Sequence, residues 1–152
     1  MAKIPSEYRK EYINAVCMEN FARMVVIAVL LIVAEPFIAV FSETPGSLSF
    51  YVSIWVALVN LIFFPILLYA RKNIERLSKF WIMLIQTLFV AAILMGGVSF
   101  GLSEQPSPSA NSTYFLAVFT IASFMIMPPF ISAVVLLTSN IAFLALLPQF
   151  LP

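Results

Sequence analysis

Histidine and aspartate are absent from this chain, cysteine occurs once and glycine only four times. Each shortage removes a class of chemistry. Without histidine no side chain has an ordinary titration near neutrality for acid–base work. A lone Cys17 can close no intrachain disulfide and build no thiolate metal cluster. The glycines form no phosphate-cradling loop, and no nucleophile has a base at a recognisable spacing. An enzyme is therefore not expected, and no cofactor is implied. Charge is scarce as well: 10% of the 152 residues are charged and the net charge is +1, which offers nucleic acid nothing to bind.

What is abundant is apolar surface. The chain is 62% hydrophobic and its mean hydropathy is +1.05, more than a water-soluble domain of this size can hide. Several runs approach the roughly 18 to 20 apolar residues that cross a bilayer. The alternation of an outer-membrane barrel is missing. The expected class is all-α: a polytopic transmembrane helical bundle, with lipid as its main partner.

The few charges are segregated. Lys3, Arg9, Lys10 and Arg23 flank the first apolar run, and Arg71, Lys72, Arg76 and Lys79 fill the link between the second and third. The stretches 42–49 and 102–112 hold only Glu43 and Glu104. The positive-inside rule then puts the N-terminus and the 71–79 link in the cytoplasm, in a cell inner (plasma) membrane. The first apolar run is too long for a signal peptide and lacks a small-residue cleavage site.

Three domains of the chain follow. Residues 1–20 read as a cytoplasmic amphipathic lead, with Tyr8, Tyr12, Ile13 and Val16 at helical spacing. That pattern suits a helix on the membrane surface or an extension of the first span. Residues 21–147 form the bundle and 148–152 a tail. Spans are expected at 21–41, 50–70 and 80–100, with Pro45 and Gly46 making the outer turn. "RKNIERLSK" reads as a charged helical stub in which Glu75 is four residues from Arg71 and Lys79. Glu19 and Arg23 have the same spacing and are expected to pair. The rest is too long for one straight span, and Pro128-Pro129 interrupts it. Two short helices turning at 127–130 are expected, giving five spans, or a re-entrant hairpin in place of the last two.

Glu35 is the sharpest feature. It stands with Pro36 inside "LLIVAEPFIAVF", roughly 21 Å up a helix counted from Phe21. An ionised side chain at mid-bilayer costs at least about 2.5 to 3.5 kcal/mol, so the group must face protein or water, be protonated, or find a partner. No span offers a Lys or Arg beyond Arg23. A neutral carboxyl, hydrogen-bonded to an amide or a backbone carbonyl, is the expected resting form unless a ligand or another subunit brings a cation. Asn60 and Asn140 fall near the midplane, with Trp55 and Thr138 within about two turns. These five residues, Glu35, Trp55, Asn60, Thr138 and Asn140, are the candidate ligand-binding set. Alternatively Glu35 is a structural carboxyl reaching the outer headgroups. Gly96-Gly97 permits close helix approach, and Gln86, Thr87, Thr120, Ser123 and Ser139 read as interhelical hydrogen bonders.

The lead "EYRKEYINAVCMENFAR", the short basic link "ARKNIERLSKFW" and the small loops resemble the N-terminal membrane modules of bacterial signalling proteins, above all multi-span diguanylate cyclases and sensor kinases. The resemblance covers the whole chain and is architectural. It implies a bundle, homo-oligomeric, that senses a small or amphiphilic ligand or anchors an output domain. Such modules end on a helix returning to the cytoplasm, so a five-span reading expects a further span and an output domain after Pro152. A small transporter or channel subunit, with Glu35 carrying protons or cations, is the other function these residues suit.

Overall fold

A computed structural model describes residues 6–103, 117–121, 129–146 and 148. All the elements described are helical. Helix α1 runs from Ser6 to Phe41, α2 from Leu48 to Lys72, α3 from Lys79 to Ser103 and α4 from Pro129 to Leu146, with a short helical segment at 117–121. Inside hydrocarbon a backbone has no water to bond, and a helix satisfies its own N–H and C=O groups. Runs of Leu, Ile, Val and Phe between capping residues therefore become rods.

The caps explain where the rods stop. Thr44, Pro45, Gly46 and Ser47 make a type II turn, in which Pro45 presets the first corner. Gly46 takes the left-handed φ of 90° at the second corner, and the Ser47 N–H bonds to the Thr44 carbonyl at 3.0 Å. Ser47 then caps α2, its hydroxyl accepting from the Phe50 N–H at 3.1 Å. At the other end Asn73 closes α2 by bonding to the Tyr69 carbonyl from both its backbone and its side chain, at 3.0 Å each. Arg71 and Lys72 lie in that last turn, where the helix dipole favours cations.

Here the link departs from expectation. Residues 73–77 form a tight turn, not a helical stub, and Glu75 makes no ion pair with Arg71 or Lys79 among the described residues. Burial of Ile74 and packing of Leu77 against the core pull the chain out of helical register. The Glu19–Arg23 pair does form, at 3.0 Å.

Three helices, Glu11–Phe41, Leu48–Lys72 and Lys79–Ser103, are long and apolar enough to cross a membrane. The turns joining them are too short to recross it, so they run up, down and up. Exposed Tyr51 and Tyr69 mark both ends of α2. They are roughly 27 Å apart along the axis, close to the roughly 30 Å of a hydrocarbon core. Trp81 and Tyr69 belong to the basic end, and the Phe37 and Phe41 rings, tilted against each other at 4.4 Å, to the acidic one. Exposed Val26, Leu30, Val33, Leu58 and Ile62 lie between these girdles, a surface suited to acyl chains.

Helix α1 has no break at residue 20. It has 36 residues. A helix of that length measures roughly 54 Å, so the lead and the first span are one rod that overshoots the bilayer. Its lower part meets the α2–α3 turn: Ile13 and Asn14 share a cleft with Ile74, Glu75, Leu77 and Lys79. Both basic segments thus lie at one end of the bundle. Helix α4 has 18 residues, near the lower limit for a crossing. It begins on Pro129, whose missing N–H is harmless in a first turn. Of the expected turn at 127–130, residues 129 and 130 belong to α4, while 127 and 128 lie outside the described residues, as do the loop at 104–112 and residues 1–5.

The core lies where α1 and α2 face each other and α3 closes on both. Phe21, Met24 and Ala28 from α1, Leu67 and Ala70 from α2 and Phe89, Val90 and Ile93 from α3 are buried together. The Phe63 and Phe89 rings meet edge to face at 5.5 Å, an arrangement that aromatic quadrupoles favour. At the same α2–α3 seam a Cβ placed on Gly96 would stand 3.0 Å from Val56 Cγ2, so glycine sets the helix separation. Gly96→Leu is expected to cost about 1 to 3 kcal/mol in unfolding measured in detergent, and Val56→Ala in the same chain should recover part of the loss.

Candidate functional site

Glu35 follows Ile27 and Leu31 at i+8 and i+4 on α1, so the carboxyl belongs to the face turned toward α2 and α3. It is only 7% exposed. Together with Ile27, Leu31, Val56, Ile93, Gly96, Gly97, Phe100, Ala117 and Thr120 it lines a cavity of about 160 Å³ between α1, α2, α3 and the 117–121 segment. Gly96 stands close to α2, where a Cβ would meet Val56, and Gly97 lines the cavity beside it.

Glu35 is unsatisfied in this place. Its Oε2 is buried with no hydrogen-bond partner among the described residues, and the same holds for Ser53 Oγ. Ser53, wholly buried on α2, lies beside the carboxyl and outside the cavity lining. Glu43 in the turn above is near enough for its charge to act on Glu35, and its carboxylate accepts from the Ser49 hydroxyl. Among the described residues no cation is in reach. Arg23 is on the same helix, roughly 18 Å down its axis. Arg71, Lys72, Arg76 and Lys79 are at the opposite end of the bundle.

The other sequence candidates divide among different places. Asn60 is 2% exposed and lies on the same α2 face as Ser53, about two turns toward the basic end. Its Nδ2 donates to the Val56 carbonyl at 2.8 Å and its Oδ1 has no partner among the described residues. It lies below the cavity, outside its lining. Trp55 is 41% exposed and turned away from the cavity, so its indole belongs to the outer surface. Thr138 and Asn140 are on α4, each bonded back to its own helix at 2.8 Å, to Val134 and Leu136. Thr138 lines a second, almost wholly apolar cavity of about 400 Å³ between α3 and α4, with Leu94, Met95, Val98 and Ser139. The structure thus brings none of the other four into the lining around Glu35.

What sequence reading missed is Ser53. Its signal was available: a small polar residue on the face of Asn60 in an otherwise apolar helix. Thr120, read as an interhelical hydrogen bonder, lines the cavity. Among the described residues no three His, Cys, Asp or Glu side chains gather as a metal cluster.

No protein-family model, curated protein or solved structure matches the chain.

A buried acceptor without a donor costs stability unless water or a ligand reaches it. Asn60→Leu, which removes one, is expected to leave unfolding stability unchanged or raise it by up to about 1 kcal/mol. A loss beyond about 2 kcal/mol in the same detergent unfolding assay would mean that Oδ1 has a bonded partner in the native state.

Proposed function

We propose that the chain is an integral membrane sensory or anchoring module that takes a small or amphiphilic ligand from the outer side at Glu35 and relays its presence to a cytoplasmic output region. The observation that carries this reading is that one unbroken helix, α1, bears the unsatisfied carboxyl near one end and packs on the α2–α3 turn at the other. A ligand that reseats Glu35 therefore pushes on a rod whose far end is already in contact with the cytoplasmic link. Arg23, Arg71, Lys72, Arg76 and Lys79 at that end make it the inner one by the positive-inside rule, in an inner (plasma) membrane. In this reading the 113–147 region crosses twice or dips as a hairpin, and the module works as a homo-oligomer.

Labelling tests both halves of the proposal. In a Cys17→Ser background, an impermeant maleimide added to right-side-out vesicles is expected to modify Glu43→Cys and to spare Asn14→Cys and Glu75→Cys. Spin labels on the last two, which share a cleft, are expected to change their separation when 1-hexanol is added, and to stop doing so with Gly97→Leu filling the cavity. An unchanged separation in the parent chain removes the relay.

The second reading, a proton or cation site in a small transporter or channel subunit, is favoured by the lack of an internal cation near Glu35 among the described residues. It expects proton or cation flux into liposomes that falls on Glu35→Gln. Equal flux in both proteins removes it.

A further inference from the structure

The chemistry of the Glu35 cavity is narrow enough to name a ligand class. Ile27, Leu31, Val56, Ile93 and Phe100 line it together with Gly96 and Gly97, and Glu35 and Thr120 supply its polar side chains. A single carboxyl, more than nine-tenths buried, presents an oxygen with no hydrogen-bond partner among the described residues. The nearby Glu43 adds negative charge, while among the described residues no Lys or Arg approaches from α1, α2, α3 or the 117–121 segment.

Three kinds of occupant can be weighed against this lining. An anion would find no Lys or Arg among the described residues to neutralise it. A bare metal ion needs about six oxygens to replace its water, which the cavity does not have. A neutral apolar molecule would fill the space but leave Oε2 as it is, buried and unbonded, at the full desolvation cost. An organic ammonium does better on every count. An N–H group donates to Oε2, its charge supplies the cation that the protein withholds, and its apolar body lies against the aliphatic walls and the Phe100 ring. When it binds a neutral carboxyl, the proton displaced from Glu35 leaves to water. The volume sets the size: a cavity of about 160 Å³ is close to the roughly 150 Å³ that admits benzene.

We infer that the Glu35 cavity binds a small organic ammonium, a primary amine carrying an apolar body about the size of a benzene ring. This rests on the reading of the cavity as a ligand site and narrows the ligand to one charge and one size.

The probe is benzylammonium, compared with benzyl alcohol and benzoate, in equilibrium binding to the full chain in lipid nanodiscs. Benzylammonium is expected to bind saturably and at least about ten-fold more tightly than benzyl alcohol, with benzoate not bound. Glu35→Gln should abolish the preference for the ammonium while leaving the weaker alcohol binding in place. Gly97→Leu should block both ligands, with a native-like unfolding transition showing that each variant is folded. If the alcohol binds as tightly as the ammonium, or the preference survives Glu35→Gln, the ammonium assignment is overturned while the cavity stays a ligand site. If neither ligand binds saturably to the parent chain, the assignment and the ligand-site reading fall together.

Discussion

Inside a bilayer, helices gain nothing by hiding apolar surface from water, because the lipid is as apolar as they are. What holds this bundle is fit, and the fit depends on the seam between α1 and α2. On α1 the buried positions Phe21, Met24, Ala28, Glu35 and Ala39 recur at steps of three, four and seven. On α2 Ser53, Val56, Ala57, Asn60, Leu67 and Ala70 answer them. Small residues on both sides let the rods close up, and the tight turn at Pro45 and Gly46 sets which faces meet. Helix α3 then settles against the pair where Gly96 admits Val56.

That arrangement keeps polar atoms where packing alone would not put them. Glu35, Ser53 and Asn60 are buried along one seam with atoms unbonded among the described residues, and Gln86 Nε2 is in the same condition on α3. Each could be replaced by an apolar group of similar shape with no loss of fit. A bundle selected for packing alone has no use for them. For Glu35 that cost is intelligible if something from outside the chain completes its hydrogen bonds, and the cavity beside Gly96 and Gly97 is the space in which it can do so.

Much of this was legible in the residues. Helices α2 and α3 begin and end within a few positions of where apolar runs, Pro45-Gly46 and the basic link place them, and α1 ends at Phe41 as expected, because those signals are local. Helix α1 begins at Ser6, well before the expected start at 21. The isolation of Glu35 from any cation could be read in the same way, by elimination. The grouping of residues around it could not. Depth along a helix is a one-dimensional estimate, and Trp55, at a depth fit for the site, points out of the bundle. Direction around the axis depends on which neighbour each helix finds. Ser53 and Asn60 share a face while Trp55, two residues on from Ser53, cannot. The stub expected at 73–77 failed for a related reason: local charge spacing favoured helix, but Ile74 and Leu77 gained more from the core.

One further consequence follows from the length of α1. A rod of 36 residues, roughly 54 Å long in a slab about 30 Å thick, cannot change its tilt at one interface without shifting its other end against the α2–α3 turn. A thinner or thicker bilayer alters that tilt by hydrophobic mismatch. The arm beyond the basic girdle is thus a mechanical pointer, and lipid thickness moves it whether or not any molecule occupies the bundle.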